Sequence, residues 1–256
     1  MRINCLIITA LLFLTLAHLL TPATAPCLEN PEQQVKFRKI DECLARGDNQ
    51  QALQLLKEAE KDNLEPAESL WRMARLHYEM GRLNDEQAPD LFRKAEEYAR
   101  SAILADANSS DSYKWLATAL GAQTKDSDTK EKVHQSREIK ESIEKAITLN
   151  PEDDTSYLVL SRWHYKVSGL GMVARAFARV VYGGIPEASL DKAEELLLHA
   201  IKLHDRVAHR YNLAKVYIRM GRKEDAREQL EKALLLPVTF PEEIREKEKA
   251  RKKLLN

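Results

Sequence analysis

One glycine-rich stretch of the sequence has the spacing that binds the phosphates of a dinucleotide. Residues 169–174 are Gly-Leu-Gly-Met-Val-Ala and match the pattern G-x-G-x-x-A. This pattern binds a dinucleotide only where it joins a β-strand to the start of a helix, because the helix N-terminus must meet the pyrophosphate. The preceding residues, SYLVLSRWHYKV, are expected to form a helix instead. We therefore predict a glycine-rich break between two helices and no cofactor.

Two further patterns resemble metal sites but lack the ligands that a metal needs. His199, His204 and His209 are spaced by five residues, and successive members of such a series point about 140° apart on a helix. Residues 125–130, Lys-Asp-Ser-Asp-Thr-Lys, begin like a calcium loop. The loop then lacks the glycine and the glutamate that calcium loops carry at their sixth and twelfth positions. We therefore predict no metal site. No serine or cysteine lies in a nucleophile motif, so we also predict no catalytic residue and no enzyme.

A stretch without acids suggests a different chemistry. Between Asp154 and Glu187 the sequence has no acidic residue, although basic and aromatic residues alternate there. The basic ones are Arg162, Lys166, Arg175 and Arg179, and the aromatic ones are Tyr157, Trp163, Tyr165, Phe177 and Tyr182. Two interpretations stay open. The segment GMVARAFARVVY is either an extra helix packed over the fold with its arginines in water, or a surface for an anionic lipid, a membrane or an acidic peptide. For the second interpretation the candidates are Arg175, Phe177 and Arg179.

The composition of the chain favours an all-α fold. Its 256 residues are enough for one large domain or two small ones. The 40 basic and 40 acidic residues balance, which argues against a nucleic-acid partner because such proteins usually have a basic excess. Eight glycines and nine prolines supply few turns for a β fold, whereas Ala, Leu, Glu, Lys and Arg are strong helix formers.

The N-terminal residues have the composition of a targeting segment. Residues Ile3 to Leu20 are nearly all apolar and follow a single basic residue, Arg2. As a helix they would be about 27 Å long, slightly less than a hydrocarbon core of about 30 Å. Ala23-Thr24-Ala25 then provides an A-x-A cleavage sequence. We expect residues 1–25 to be a signal peptide or an N-terminal membrane anchor, which places the protein outside the cell, in the periplasm or on a membrane.

The remaining residues contain a repeat of about 34 residues. The clearest copy is Ala208–Pro237, in which Gly221 is expected to end the first helix in a left-handed conformation. Small residues at 214, 226 and 233 would let two helices approach closely. Other copies begin near Ala67, Asp111 and Asp153, and a weaker one surrounds Gly47. This pattern is tetratricopeptide-like, and it predicts an α-solenoid of about five degenerate helix-turn-helix repeats.

The repeat boundaries define three parts of the chain. After the N-terminal segment, we expect a repeat domain over residues 33–240, with an insertion at about residues 168–189. Residues 241–256 then predict a capping helix, because acidic residues come first and basic residues last, as the helix dipole prefers.

Repeat geometry also predicts which residues line the concave groove. First helices line that face, and the fifth, ninth and twelfth positions of each repeat should point into it. The resulting candidates for partner binding are Trp71, Arg75, Tyr78, Lys114, Tyr157, His164, Tyr211 and Lys215. Aromatic and basic types dominate this set, which suits a peptide with acidic groups or a lipid with an anionic head.

Several segments resemble the regulator of microtubule dynamics family. They are ESLWRMARLHYE, SYKWLATALG, IKESIEKAITLNPEDDTSY, and VARAFARVVYGGIP before LDKAEELLLHAI. Members of that family are tetratricopeptide-like proteins associated with microtubules, mitochondria and organelle contact membranes, and lipid binding is also described for them. The resemblance implies a non-enzymatic interaction role and a link to microtubules. It also implies, as the alternative to export, a mitochondrial or organelle-membrane location.

Two functions therefore stay open. The first is a protein-interaction scaffold that binds a partner peptide or domain in the concave groove. The second is a lipid-binding or membrane-contact module that uses the basic-aromatic insertion. An enclosed apolar cavity under residues 170–186 would favour lipid, and an open polar groove would favour peptide.

Overall fold

The computed structural model describes residues 31–125 and 127–255, and every regular element in these ranges is an α-helix. The helices are α1 (Pro31–Arg46), α2 (Asn49–Lys61), α3 (Pro66–Leu83), α4 (Ala88–Ala105), α5 (Ser110–Gln123), α6 (Thr129–Leu149), α7 (Asp154–Ser168), α8 (Met172–Tyr182), α9 (Leu190–Leu203), α10 (Val207–Met220), α11 (Lys223–Leu235) and α12 (Glu242–Leu254). Within these ranges no helix is long and apolar enough to cross a bilayer. The signal peptide or anchor predicted for residues 1–25 lies outside the described residues.

The helices pack in successive pairs. The pairs are α1 with α2, α3 with α4, α5 with α6, α7 with α9, and α10 with α11, and each pair touches the next. Five stacked helix hairpins form an α-solenoid, in which each repeat buries its apolar face against its neighbours. The predicted all-α solenoid of about five repeats is therefore confirmed. The extra helix α8 interrupts the fourth pair, and α12 packs against α10 and α11.

Small residues set the spacing between paired helices. Alanines with no exposed surface lie along these contacts, among them Ala74, Ala99, Ala117, Ala146, Ala200 and Ala214. A Cβ added to Gly81 of α3 would lie only 2.8 Å from Cε1 of Phe92 in α4, so this glycine permits the close approach of the two helices. Gly221 ends α10 with a φ of 79°, as the repeat pattern predicts.

Polar side chains fix where several helices begin. At five helix starts, the residue before the helix accepts a hydrogen bond from a backbone N–H of the first turn, and these residues are Asp48, Ser109, Asp128, Asp153 and Ser189. Such caps satisfy N–H groups that have no partner inside the helix. They fix the starts of α2, α5, α6, α7 and α9, three of which surround the insertion.

The segment after α11 returns across the solenoid to the first repeats. The Phe240 ring lies between two guanidinium groups, 5.5 Å from that of Arg75 and 4.4 Å from that of Arg206. Further along, Arg245 of α12 donates a hydrogen bond of 3.2 Å to the carbonyl of Arg82. The C-terminal helix therefore contacts both the last repeats and the end of α3.

Candidate functional site

A cavity of about 570 Å³ lies between the inner side of α8 and helices α5, α6, α7 and α10. This volume is within the range of small-molecule sites. Most of its lining is apolar and includes Val133, Ile139, Val159, Trp163, Leu170 and Ile185. The insertion supplies one wall through Ala174 and Ala178, whose small side chains keep the interior open.

The charged residues that line this cavity are all basic. They are Lys132, Arg162, Lys166 and Lys215, and no aspartate or glutamate belongs to the described part of the lining. Arg162 forms an ion pair with Glu246 of α12 at 3.0 Å. Lys166 donates to the carbonyl of Gly121 at 3.3 Å, and neither it nor the other two lysines has a carboxylate partner among the described residues. An apolar cavity with three lysines that form no ion pair with the described carboxylates is complementary to a molecule with an apolar tail and an anionic group.

Lys215 lies at the centre of this positive charge. Its Nζ donates to Oδ1 of Asn212 at 3.3 Å and lies 4.8 Å from the centre of the Tyr165 ring. Burial and the charge of Arg162 together lower the pKa of Lys215 to about 8, and the same two causes lower the pKa of Lys166. A lysine with a lowered pKa destabilises the fold while it is protonated, and this cost disappears as the pH rises from the lowered value to the ordinary one. A bound anion would offset the cost at neutral pH.

Two arginines hold the ends of α8. Arg175 donates to the carbonyls of Val167 and Leu170, at 2.6 and 3.1 Å. At the other end Arg137 of α6 donates to the carbonyls of Tyr182 and Gly184. These bonds attach both ends of α8 to the solenoid, and the Val167 carbonyl also accepts from the N–H of Leu170 at 3.1 Å. Of the two arginines expected in water, Arg179 is exposed, and Arg175 is half-buried against the end of α7.

Phe177, the third candidate of the insertion, lies on the outer side of α8. Its ring contacts that of Tyr182, with 5.8 Å between the centres, and the side chain is about half exposed. The predicted alternative of an extra helix packed through its apolar face therefore describes only part of the geometry. The face of α8 toward the solenoid is made of alanines, and its larger apolar residues point away.

Only two of the eight predicted groove residues line the cavity, namely Tyr78 and Lys215. Lys114 lies between two carboxylates, 2.5 Å from Asp111 and 3.2 Å from Asp153. These acids raise its pKa against the effect of burial, so the charge of Lys114 is already balanced. Arg75 faces the rings of Trp115 and Phe240.

The other four groove candidates pack within the protein or lie elsewhere on its surface. Trp71 and Tyr211 are buried in two of the apolar cores. His164 accepts a hydrogen bond from the Ser189 N–H, and burial lowers its pKa to about 4, which keeps it neutral. Tyr157 contacts His199 in a separate depression between α6 and α9, which both acids and lysines line. The structure thus brings Tyr78 and Lys215 together and separates the rest.

Sequence reasoning identified part of the cavity's charge and missed the remainder. Arg162 and Lys166 belong to the acid-free stretch, and Lys215 belongs to the predicted groove. Lys132 was missed because it lies on α6, far along the chain from the insertion, and nothing in its local sequence marks it. The cavity exists only because α6 and α8 meet in the folded chain.

The glycine-rich and histidine patterns have structural roles. Gly169 follows α7 and Gly171 precedes α8, so residues 169–174 join two helices. His204 and His209 both lie close to Asp154, at 3.4 and 3.1 Å. The described residues contain no group of three or more possible ligands placed to hold a metal ion.

Comparison with known proteins places this geometry among tetratricopeptide-like chains. Residues 36–256 match the family described as regulator of microtubule dynamics protein 1-3. Regulator of microtubule dynamics protein 1 of Caenorhabditis elegans is 28% identical over 187 residues, which are 72% of this chain and 83% of that protein. Regulator of microtubule dynamics protein 3 of Xenopus laevis is 31% identical over 223 residues, 85% of this chain and 48% of that protein. The bovine protein 1 is 31% identical over 61% of this chain and 50% of its own length, so the chain spans about half of these last two relatives.

A solved structure has the same fold. It is a tetratricopeptide-repeat protein of the thermophile Thermus thermophilus, with a TM-score of 0.66 and 22% identity. The likeness covers 88% of this chain and 100% of the bacterial one. At this level of identity it bears on the fold alone.

Proposed function

Because the chain belongs to the regulator of microtubule dynamics family, we propose that it is a non-enzymatic tetratricopeptide-like scaffold whose cavity under α8 binds an anionic amphiphile. The ligand has an apolar tail and a carboxylate or phosphate head. The observation that carries this proposal is the lining of the cavity, which is mostly apolar and whose charged residues are all basic.

Electrostatics support an anionic rather than a neutral ligand. Three lysines at the cavity have no carboxylate partner among the described residues, and Lys215 is destabilised while it is protonated. A bound carboxylate would form a charge-assisted hydrogen bond with the half-buried Lys215, and the exposed Lys132 and Lys166 would add positive charge at the cavity. The acyl tail would contact the apolar walls beside Trp163 and Ile139, so each part of the ligand has matching surroundings.

A peptide partner is the second candidate function. The observation that favours it is the contact of the chain's own Phe240 with Arg75 of α3 and with Arg206, which precedes α10. A partner with an aromatic side chain would use the same contacts. The link to microtubules rests on the names of the relatives, and a mitochondrial or other membrane location rests on the family alone, so both stay predictions.

The experiment for the proposed function compares two ligands that share a tail. Palmitate and 1-hexadecanol would each compete with the fluorescent fatty acid dansylaminoundecanoate for the cavity, and the loss of bound fluorescence would give the affinity of each. We expect palmitate to bind about 10- to 100-fold more tightly, because hydrogen bonds to charged groups contribute about 1.5–3 kcal/mol. Equal affinities for the acid and the alcohol, or no displacement by either, would contradict the proposal.

The same assay, repeated at different pH values, tests whether Lys215 contributes to palmitate binding. Palmitate binds more tightly to the protonated lysine, so its affinity should be constant between about pH 6 and 7, where its own carboxylate is ionised, and decrease as the pH rises above about 8. The affinity of 1-hexadecanol should not change over this range. A Lys215→Met variant should bind palmitate more weakly and lose the decrease near pH 8, and a decrease that persists in this variant would exclude Lys215 as its cause.

A further inference from the structure

The outer face of α8 exposes several large apolar side chains. They are Met172, Val173, Phe177, Val180 and Val181, whose surfaces are 88%, 85%, 49%, 85% and 49% exposed. At 100° per residue, Val173, Phe177 and Val180 lie within about 60° of one another, and Met172 and Val181 lie on the two flanks of this strip. Every other helix in the described part of the chain has at most one large apolar side chain with this level of exposure. Contiguous exposed apolar patches of this kind mark interaction sites.

The surroundings of this face are positively charged. Arg179 is exposed at its edge, and no carboxylate among the described residues pairs with it. Arg219 extends from α10 to the start of the insertion, where a Cβ added to Gly169 would lie 2.8 Å from its Nη1. An apolar strip beside these two arginines is complementary to a surface that is apolar inside and negative outside.

We propose that the outer face of α8 docks onto an anionic lipid bilayer. The valines, Met172 and Phe177 would insert at the boundary between headgroups and acyl chains, and Arg179 and Arg219 would contact lipid phosphates. Short amphipathic helices bind in the plane of a membrane through this combination of apolar burial and attraction to anionic lipids.

A second copy of the chain is a poorer occupant of this face. Two copies that met through α8 would bring like charges together, since each carries Arg179 and Arg219 beside the patch. The helix has 11 residues, so it is only about 16 Å long and about 10 Å wide. Its area is far below the roughly 800 Å² per partner of a standard interface.

Docking would also place α8, which forms one wall of the cavity, at the membrane. Glycines flank α8 on both sides, and Gly183 and Gly184 have φ values of 74° and 91°. Among the described helices, only α6 approaches its backbone closely. Movement of α8 at the bilayer would open the cavity toward the acyl chains, so that a ligand passes without crossing water. This last step rests on the proposed function, whereas docking itself does not.

The test measures binding of the full chain to vesicles. One set contains phosphatidylcholine alone, and the other contains phosphatidylcholine with phosphatidylserine. V173D/V180D is compared with the matched control L104D/L235D, which places the same charges at two leucines that are 88% and 86% exposed on α4 and α11. The apolar residues 3–20 are common to every variant, so differences between variants report on α8.

We expect the native chain and the control to bind the anionic vesicles at least about tenfold more tightly than V173D/V180D, with a smaller difference at high salt because salt screens the arginines. Hydrogen exchange of residues 172–182 should slow on anionic vesicles in the native chain, and exchange around Leu104 should not. The inference is overturned if V173D/V180D binds vesicles like the control, or if residues 172–182 show no protection. It is also overturned if the native chain is a dimer and V173D/V180D changes this oligomeric state without changing vesicle binding.

Ligand binding separates this inference from the proposed function. V173D/V180D should still bind palmitate in solution, because its changes are on the outer face. A variant with a filled cavity should still bind anionic vesicles. If the native chain did not bind palmitate, only the proposed function would be contradicted. If V173D/V180D and the control bound anionic vesicles equally well, only the docking would be contradicted.

Discussion

Replacing Gly121 by tryptophan should weaken palmitate binding by about 100-fold or more while the protein stays folded. Gly121 lies within α5, lines the cavity, and has no atom within 4 Å of the position where a Cβ would be. An indole at this position has open space to enter and would occupy the volume that the acyl tail needs. The binding constants of the two chains, measured by displacement of the fluorescent fatty acid, give the comparison.

Gly121→Ala is the matched control for this substitution. A methyl group takes little of the cavity, and alanine in a helix is about 1 kcal/mol more favourable than glycine. We therefore expect native affinity and a slightly higher melting temperature. If Gly121→Trp bound palmitate as Gly121→Ala does, the ligand would not lie in the cavity under α8.

Truncating Glu243 to alanine should lower the free energy of unfolding by about 3–5 kcal/mol. The residue is completely buried in α12. Its Oε1 accepts from Nε of Arg206 at 3.3 Å, and its Oε2 accepts from the backbone N–H of Thr239 at 2.7 Å and of Phe240 at 3.3 Å. Removing the carboxylate leaves these part-buried donors without their acceptor and the largely buried Arg206 guanidinium with one fewer counterion.

Urea unfolding of Glu243→Ala and of Glu248→Ala provides the measurement. Glu248 lies on the same helix and is exposed, so its truncation should change the free energy by less than about 0.5 kcal/mol. In Glu243→Ala the segment before α12 should also become a site of limited proteolysis. Similar stabilities for the two variants would show that α12 is not anchored through this carboxylate.

Much of the fold follows from local sequence rules. Repeated alanines and the glycine at 221 predict paired helices, because small side chains are needed wherever two helices approach closely. The same rules do not distinguish Gly81, which permits contact with Phe92, from Gly221, which ends a helix. Gly121 likewise lies inside α5, although its place in the repeat suggests a helix end. Whether a glycine ends a helix depends on what packs against it.

The candidate site was less predictable, because its parts come from distant segments. Repeat geometry treats the eight groove positions as equivalent, yet neighbouring helices and the returning C-terminal segment engage most of them. One interpretation of the sequence placed Arg175 in water, but the carbonyls of Val167 and Leu170 after α7 provide it with acceptors. The apolar pattern of α8 left open whether its face is packed over the fold or is a surface for a lipid, a membrane or a peptide. A helical pattern identifies a face and does not say what covers it.

Quenching of tryptophan fluorescence by brominated stearate tests the central claim most directly, because bromine quenches only at short range. Of the three tryptophans, Trp163 lines the cavity, and Trp71 and Trp115 do not. We expect 9,10-dibromostearate to quench the native chain, Trp71→Phe to retain this quenching, and Trp163→Phe to lose most of it. Quenching that is unchanged in Trp163→Phe would place the acyl chain elsewhere and contradict an amphiphile site under α8.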